Sequence, residues 1–182
     1  MKSKNRTFVI FFILSVLVWL IGFLDPVLSS KGGHVFSSEI PEIEINKMVS
    51  VKSVSLNNTF VCLKICINGL CSFGLYSLFC LLLNGYVLGN YAALMRNLNV
   101  PTSIILKATL PHFLEYIALW LSGAVGLNGI IIFFNLIRGK PIVNREQVRF
   151  LLKVIGIIFI LVIISAYAEV RISLELILEA IK

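Results

Sequence analysis

Charge is scarce in this chain. Of its 182 residues only 14% are Asp, Glu, Lys or Arg, against 58% hydrophobic, and the mean hydropathy is +0.96. A soluble domain of this size cannot cover so much apolar side chain, so the surplus must face lipid. The expected fold is all-α: a polytopic membrane helix bundle. Catalytic signatures are missing too. There is no G-x-S-x-G, no H-E-x-x-H and no Walker-type phosphate loop. A serine hydrolase, a zincin-type metalloprotease and an ATP-driven motor therefore lack their defining residues. No C-x-x-C pair occurs among Cys62, Cys66, Cys71 and Cys80, and no histidine lies near them in sequence. These cysteines read as small buried hydrophobes rather than redox groups or metal ligands. The net charge of +7 has no basic-aromatic motif beside it. It is the charge of basic flanks that fix topology and meet anionic headgroups, and nucleic acid is set aside.

Three domains are expected. The apolar run from Phe8 to Leu24 follows Lys2, Lys4 and Arg6. Its core is longer than a usual signal-peptide h-region, and no A-x-A site follows Asp25-Pro26, so residues 1–24 read as an uncleaved signal-anchor span. Residues 25–55 form an extracytoplasmic loop, the only sizeable polar segment. Glu39, Glu42 and Glu44 there alternate with Ile40, Ile43 and Ile45, which fits a surface-lying amphipathic helix or an ordered loop. Residues 56–182 are the helical membrane core.

Within that core, Phe60 to Met95 is apolar except for Lys64 and contains the small-residue motif Gly85-Tyr86-Val87-Leu88-Gly89. Thr102 to Ile137 is interrupted by Lys107 and by Leu110-Pro111-His112-Phe113-Leu114-Glu115. Proline removes a backbone donor, so a helix broken near Pro111 is expected. Ala118, Ser122 and Gly126 recur every four residues after it and form a second small-residue packing face. A last span covers Phe150 to about Ala168, and Arg171 to Lys182 reads as an amphipathic helix with Glu175 and Glu179 one turn apart. The N-terminus and the basic stretch Arg138 to Arg149 should both be cytoplasmic in the cell membrane. With Phe8–Leu24 and Phe60–Met95 crossing once each, Thr102–Ile137 must cross twice or not at all. About five membrane segments are expected.

Three ionisable residues stand out in this apolar setting: His112, Glu115 and Glu169. Such groups at membrane depth mark a site or an internal polar pairing. His112 and Glu115, three apart, share a helix face. A metal site or a proton relay is conceivable, with Asn84 as a poor further ligand. The favoured reading is a structural polar core of His112, Glu115, Glu169 and Asn84, in which the carboxylates accept from His112, Lys64, Arg171 or backbone freed by Pro111. No catalytic residue, metal or cofactor is assigned.

In order, Leu56-Asn57-Asn58, Gly69 and Gly74, Leu83-Asn84-Gly85 with Leu88-Gly89, Leu110-Pro111-His112-Phe113-Leu114-Glu115, and Ala166-Tyr167-Ala168-Glu169 resemble the stage II sporulation protein M family. The likeness runs from Leu56 to about Arg171. Phe113 departs from it, standing where the family usually has glycine beside His112. The resemblance implies a multi-span helical protein without known catalytic activity. Its expected role is a scaffold or assembly factor for membrane or peptidoglycan-degrading enzymes. The alternative is an export, maturation or immunity subunit beside an ABC-type ATPase in bacteriocin or peptide secretion. Partners are then other membrane proteins and the lipid bilayer, with self-association open.

Overall fold

A computed structural model describes residues 2–29, 50–141 and 144–180. The described residues form six α-helices: α1 Lys2–Leu28, α2 Val51–Cys71, α3 Leu75–Asn97, α4 Thr102–Thr109, α5 Phe113–Ile137 and α6 Arg145–Ala180. Five contain stretches long and apolar enough to cross a membrane: Arg6–Leu28, Val51–Cys71, Leu75–Asn97, Phe113–Ile137 and Arg145–Arg171. No strand occurs among the described residues. The chain is a multi-pass helical membrane bundle.

The spans divide differently from the sequence expectation. Phe60–Met95 does not cross once. It belongs to a hairpin, α2–α3, that turns at Ser72-Phe73-Gly74. Phe73 (φ 56°) and Gly74 (φ 88°) both take left-handed backbone there, and the Gly74 amide donates to the Gly69 carbonyl at 2.7 Å. Glycine adopts that backbone without cost. Phe73 does so with its ring packed on Phe133 at 4.5 Å. Thr102–Ile137 correspondingly supplies one span, α5, preceded by the short α4. The two differences cancel in parity. The N-terminus and the α5–α6 connection still lie at one end of the bundle, where Phe8 packs edge-on against Phe150 at 5.0 Å.

The surface-helix expectation for the loop falls mostly on residues 30–49, outside the described residues. The tail is helical as expected, and it continues the last span: α6 runs from Arg145 to Ala180 without a break.

Helix α5 is the axis of the bundle. It packs against α1, α2, α3 and α6, and 56% of its most apolar stretch is buried, against 28% or less for every other span. Ten positions between Ala118 and Gly129 are buried, and six of them are small: Ala118, Ser122, Gly123, Ala124, Gly126 and Gly129. Small residues let neighbouring backbones approach closely, which drives helix association where lipid is as apolar as leucine. A β-carbon at Gly126 would stand 2.8 Å from the Ile65 carbonyl of α2, and one at Gly129 2.6 Å from the Leu70 carbonyl. On the other side, Trp19 of α1 packs on Tyr116 and Trp120 of α5, at 5.2 and 5.5 Å between ring centres. Helix α1 is thus an integral wall of the bundle.

The indole N–H groups of Trp19 and Trp120 are buried without a hydrogen-bond partner among the described residues, whereas four smaller polar side chains bond to backbone. The hydroxyl of Ser15 donates to the Phe11 carbonyl, Ser122 to Ala118 and Asn128 to Ala124, each within its own helix. Ser77 instead reaches across the hairpin, donating to the Ile65 carbonyl at 3.0 Å.

Candidate functional site

Pro111 sets up the site. Lacking an amide hydrogen, it cannot donate to the carbonyl four residues back, and its ring disfavours a continuous helix. Helix α4 ends at Thr109, and Leu110–His112 form a single 3₁₀ turn before α5 starts at Phe113. His112 is therefore delivered at the mouth of α5, and Glu115 lies in the first turn. Glu169 comes from the far end of the α6 span. The three meet at the bundle end opposite the N-terminus.

The geometry is close. His112 Nδ1 lies 3.1 Å from Glu115 Oε2 and 3.9 Å from Glu169 Oε2. One ligand-type atom from each residue falls within 4.8 Å of the others. The side chains are partly shielded, at 34%, 21% and 25% exposure respectively. His112 precedes the first residue of the α5 span. Its hydrogen bond with Glu115 holds the imidazole above its ordinary pKa, the charges of Glu169 and Glu115 add to this, and burial opposes it.

Other residues expected at this core are placed elsewhere. Asn84 donates to the Cys80 carbonyl of its own helix at 2.8 Å and is not part of the cluster. Lys64 is exposed and sits over the Phe60 ring at 4.5 Å. Arg171 donates through Nε and Nη2 to the Tyr167 hydroxyl at 3.1 and 2.9 Å. Among the described residues, neither carboxylate has a lysine or arginine within ion-pair distance; His112 is their shared partner. Gly85 and Gly89 face α1, and Ser122 and Gly126 face α2, with the Cys66 thiol 3.7 Å from the Ser122 carbonyl.

Phe113 does not stand between His112 and the carboxylates. It is exposed and lines an apolar cavity of about 540 Å³ with Trp19, Leu110 and Tyr116. Sequence reasoning missed this cavity. Its walls come from α1, α3, α4 and α5, and no local pattern links them.

Chemically, the cluster can bind a proton or a cation and can tie α5 to α6. Among the described residues no hydroxyl or thiol nucleophile stands in hydrogen-bond contact with His112. The curated proteins contain no match to the chain, and neither do the solved structures. The family described as Stage II sporulation protein M matches residues 7–174, from the first span through the last. That match covers almost the whole chain and includes α1, which the sequence likeness had left out; this chain belongs to the Stage II sporulation protein M family.

Proposed function

We propose that this protein is a non-enzymatic membrane scaffold or assembly factor, holding membrane or cell-wall enzymes together at the cell membrane. The observation that carries this reading is the filled middle of the bundle. Along α5, glycine and alanine backbones press against neighbouring helices, and Ser15, Ser77, Ser122 and Asn128 bond to backbone carbonyls. A transporter needs spare polar groups along a path between its two ends. A scaffold needs a rigid core and outward faces that other helices can meet. Large apolar side chains project outward along α1, α3 and α6, among them Ile10, Ile21, Val87, Leu152 and Ile160.

The N-terminus and the basic α5–α6 connection face the cytoplasm under the positive-inside rule. The His112, Glu115 and Glu169 end then faces outward, where wall enzymes work. Partners of the peptidoglycan-degrading class come from the family resemblance.

Pull-down of the full chain in mild detergent tests this reading, with recovered proteins identified by mass spectrometry. Membrane or wall enzymes are the expected catch. Recovery of none, together with solute movement by the purified chain in proteoliposomes, would replace the scaffold by a permease-like export subunit. Neighbouring genes give a second readout: wall hydrolases favour the scaffold, and a bacteriocin precursor with an ATPase subunit favours export.

A further inference from the structure

His112, Glu115 and Glu169 form more than an ion pair. Two carboxylates converge on one imidazole, and no lysine or arginine among the described residues lies within ion-pair distance of either. Arg171, the nearest cation in sequence to Glu169, is committed to the Tyr167 hydroxyl. The cluster thus offers one imidazole nitrogen and two carboxylate groups to a shared point, all of them electron-pair donors when deprotonated. A partly shielded site of that kind favours a divalent cation over a proton alone.

The donor set narrows the cation. Calcium and magnesium prefer oxygen-only shells, whereas imidazole with carboxylates suits zinc, manganese or iron(II). The spacing agrees. Ligands about 2.0–2.1 Å from a tetrahedral ion stand roughly 3.4 Å apart, and the separations here are 3.1 and 3.9 Å. All three atoms lie within 4.8 Å, so closure onto an ion needs only small side-chain adjustments. Partial exposure of all three residues leaves the remaining position to water. His112 and Glu115 come from one turn and Glu169 from another helix, so a bound ion would clasp the mouth of α5 to the far end of α6.

We propose that His112, Glu115 and Glu169 are the protein ligands of a divalent transition-metal ion that clasps α5 to α6. The proposal goes beyond the scaffold reading and does not depend on it, because it is read on the purified chain without partners.

The test uses the full chain in mild detergent, prepared without a polyhistidine tag, stripped by chelator and titrated with Co²⁺. One equivalent should bind, giving a visible d–d absorption without the thiolate-to-metal charge transfer that Cys62 or Cys66 would produce. Zn²⁺ should displace it. Glu115→Gln and Glu169→Gln keep side-chain size, and each should weaken binding by about tenfold or more. His112→Ala should remove the nitrogen contribution to the spectrum. Elution profile and melting temperature of the chelated variants check that each still folds. Wild type that takes up no Co²⁺ or Zn²⁺, or uptake unchanged by Glu169→Gln, overturns the proposal and leaves the cluster a proton-held pairing. Partner capture that fails while metal uptake succeeds would count against the scaffold alone.

Discussion

Gly85 of α3 lies directly against the Trp19 carbonyl of α1, so close that a β-carbon at position 85 would overlap that oxygen. The same relationship recurs one turn on, between Gly89 and the Phe23 carbonyl, and is returned from α1 by Gly22 against the Leu82 carbonyl. Three glycines thus let two backbones touch, and the Gly85–Gly89 motif is the contact between the first and third spans.

Gly85→Leu should therefore push α1 away from α3. Overpacking of this kind costs about 1–3 kcal/mol, read as a lower melting temperature in detergent. Gly156→Ala on α6 is the control, since an added β-carbon there meets nothing within 4 Å. It should leave stability unchanged or raise it by a few tenths to about 1 kcal/mol, as alanine is the better helix former. Equal destabilisation by both would mean that the α1–α3 contact is not specific.

The hairpin makes a topological prediction. Cys71 is exposed at the turn end of α2, near the same bundle end as the α5–α6 connection. A chain with alanine at Cys62, Cys66 and Cys80 keeps that single thiol. A membrane-impermeant maleimide should reach Cys71 from the side on which it reaches Lys140→Cys, and should reach Asn99→Cys from the opposite side. If Val51–Asn97 crossed only once, Cys71 would sit inside the bilayer and stay unlabelled.

Ser77→Ala removes a hydroxyl that ties α3 to the Ile65 carbonyl of α2. Hydrogen bonds between membrane helices are worth roughly 0.6 kcal/mol on average and at most about 2. A loss in that range is expected from unfolding in detergent. Ser15→Ala removes a bond confined to α1 and should cost less.

Metal removal should be visible in stability as well as in spectra. A ligand bound only by the folded chain stabilises it by about 2.7 kcal/mol when present at a hundred times its dissociation constant. Chelation should therefore lower the melting temperature of zinc-loaded wild type and leave Glu169→Gln where it was. Identical shifts in both would place the metal elsewhere.

Much of this fold was legible because the relevant signals are local. Apolar run lengths announce the spans, Pro111 announces the break after Thr109, and the spacing of Ala118, Ser122 and Gly126 announces the packed face of α5. The α2–α3 turn was missed because Cys71-Ser72-Phe73-Gly74 carries no charge, and an apolar turn looks like uninterrupted helix. Yet Phe60 to Met95 is nearly twice the roughly 20 residues one crossing needs, and Gly74 lies near its middle. That combination was the available clue. At the site, the i, i+3 spacing placed His112 beside Glu115, as the fold shows. The convergence of Glu169 rests on how α6 packs against the 3₁₀ turn, which only tertiary structure determines. Asn84 lies near these residues in motif order but answers to its own helix at Cys80.

The central position of α5 has a consequence for biogenesis. In order of synthesis it is the fourth span to leave the ribosome, yet every earlier span packs its small or aromatic residues against it. Until Phe113–Ile137 enters the bilayer, Trp19 lacks Tyr116 and Trp120, and Gly69 lacks Gly126. Nascent α1, α2 and α3 must wait in lipid as an open shell around an unfilled axis, held by the α1–α3 glycine contact and the α2–α3 turn. Chains truncated before α5 should then be the ones that membrane quality-control proteases remove, whereas truncation after Arg171 leaves the axis in place.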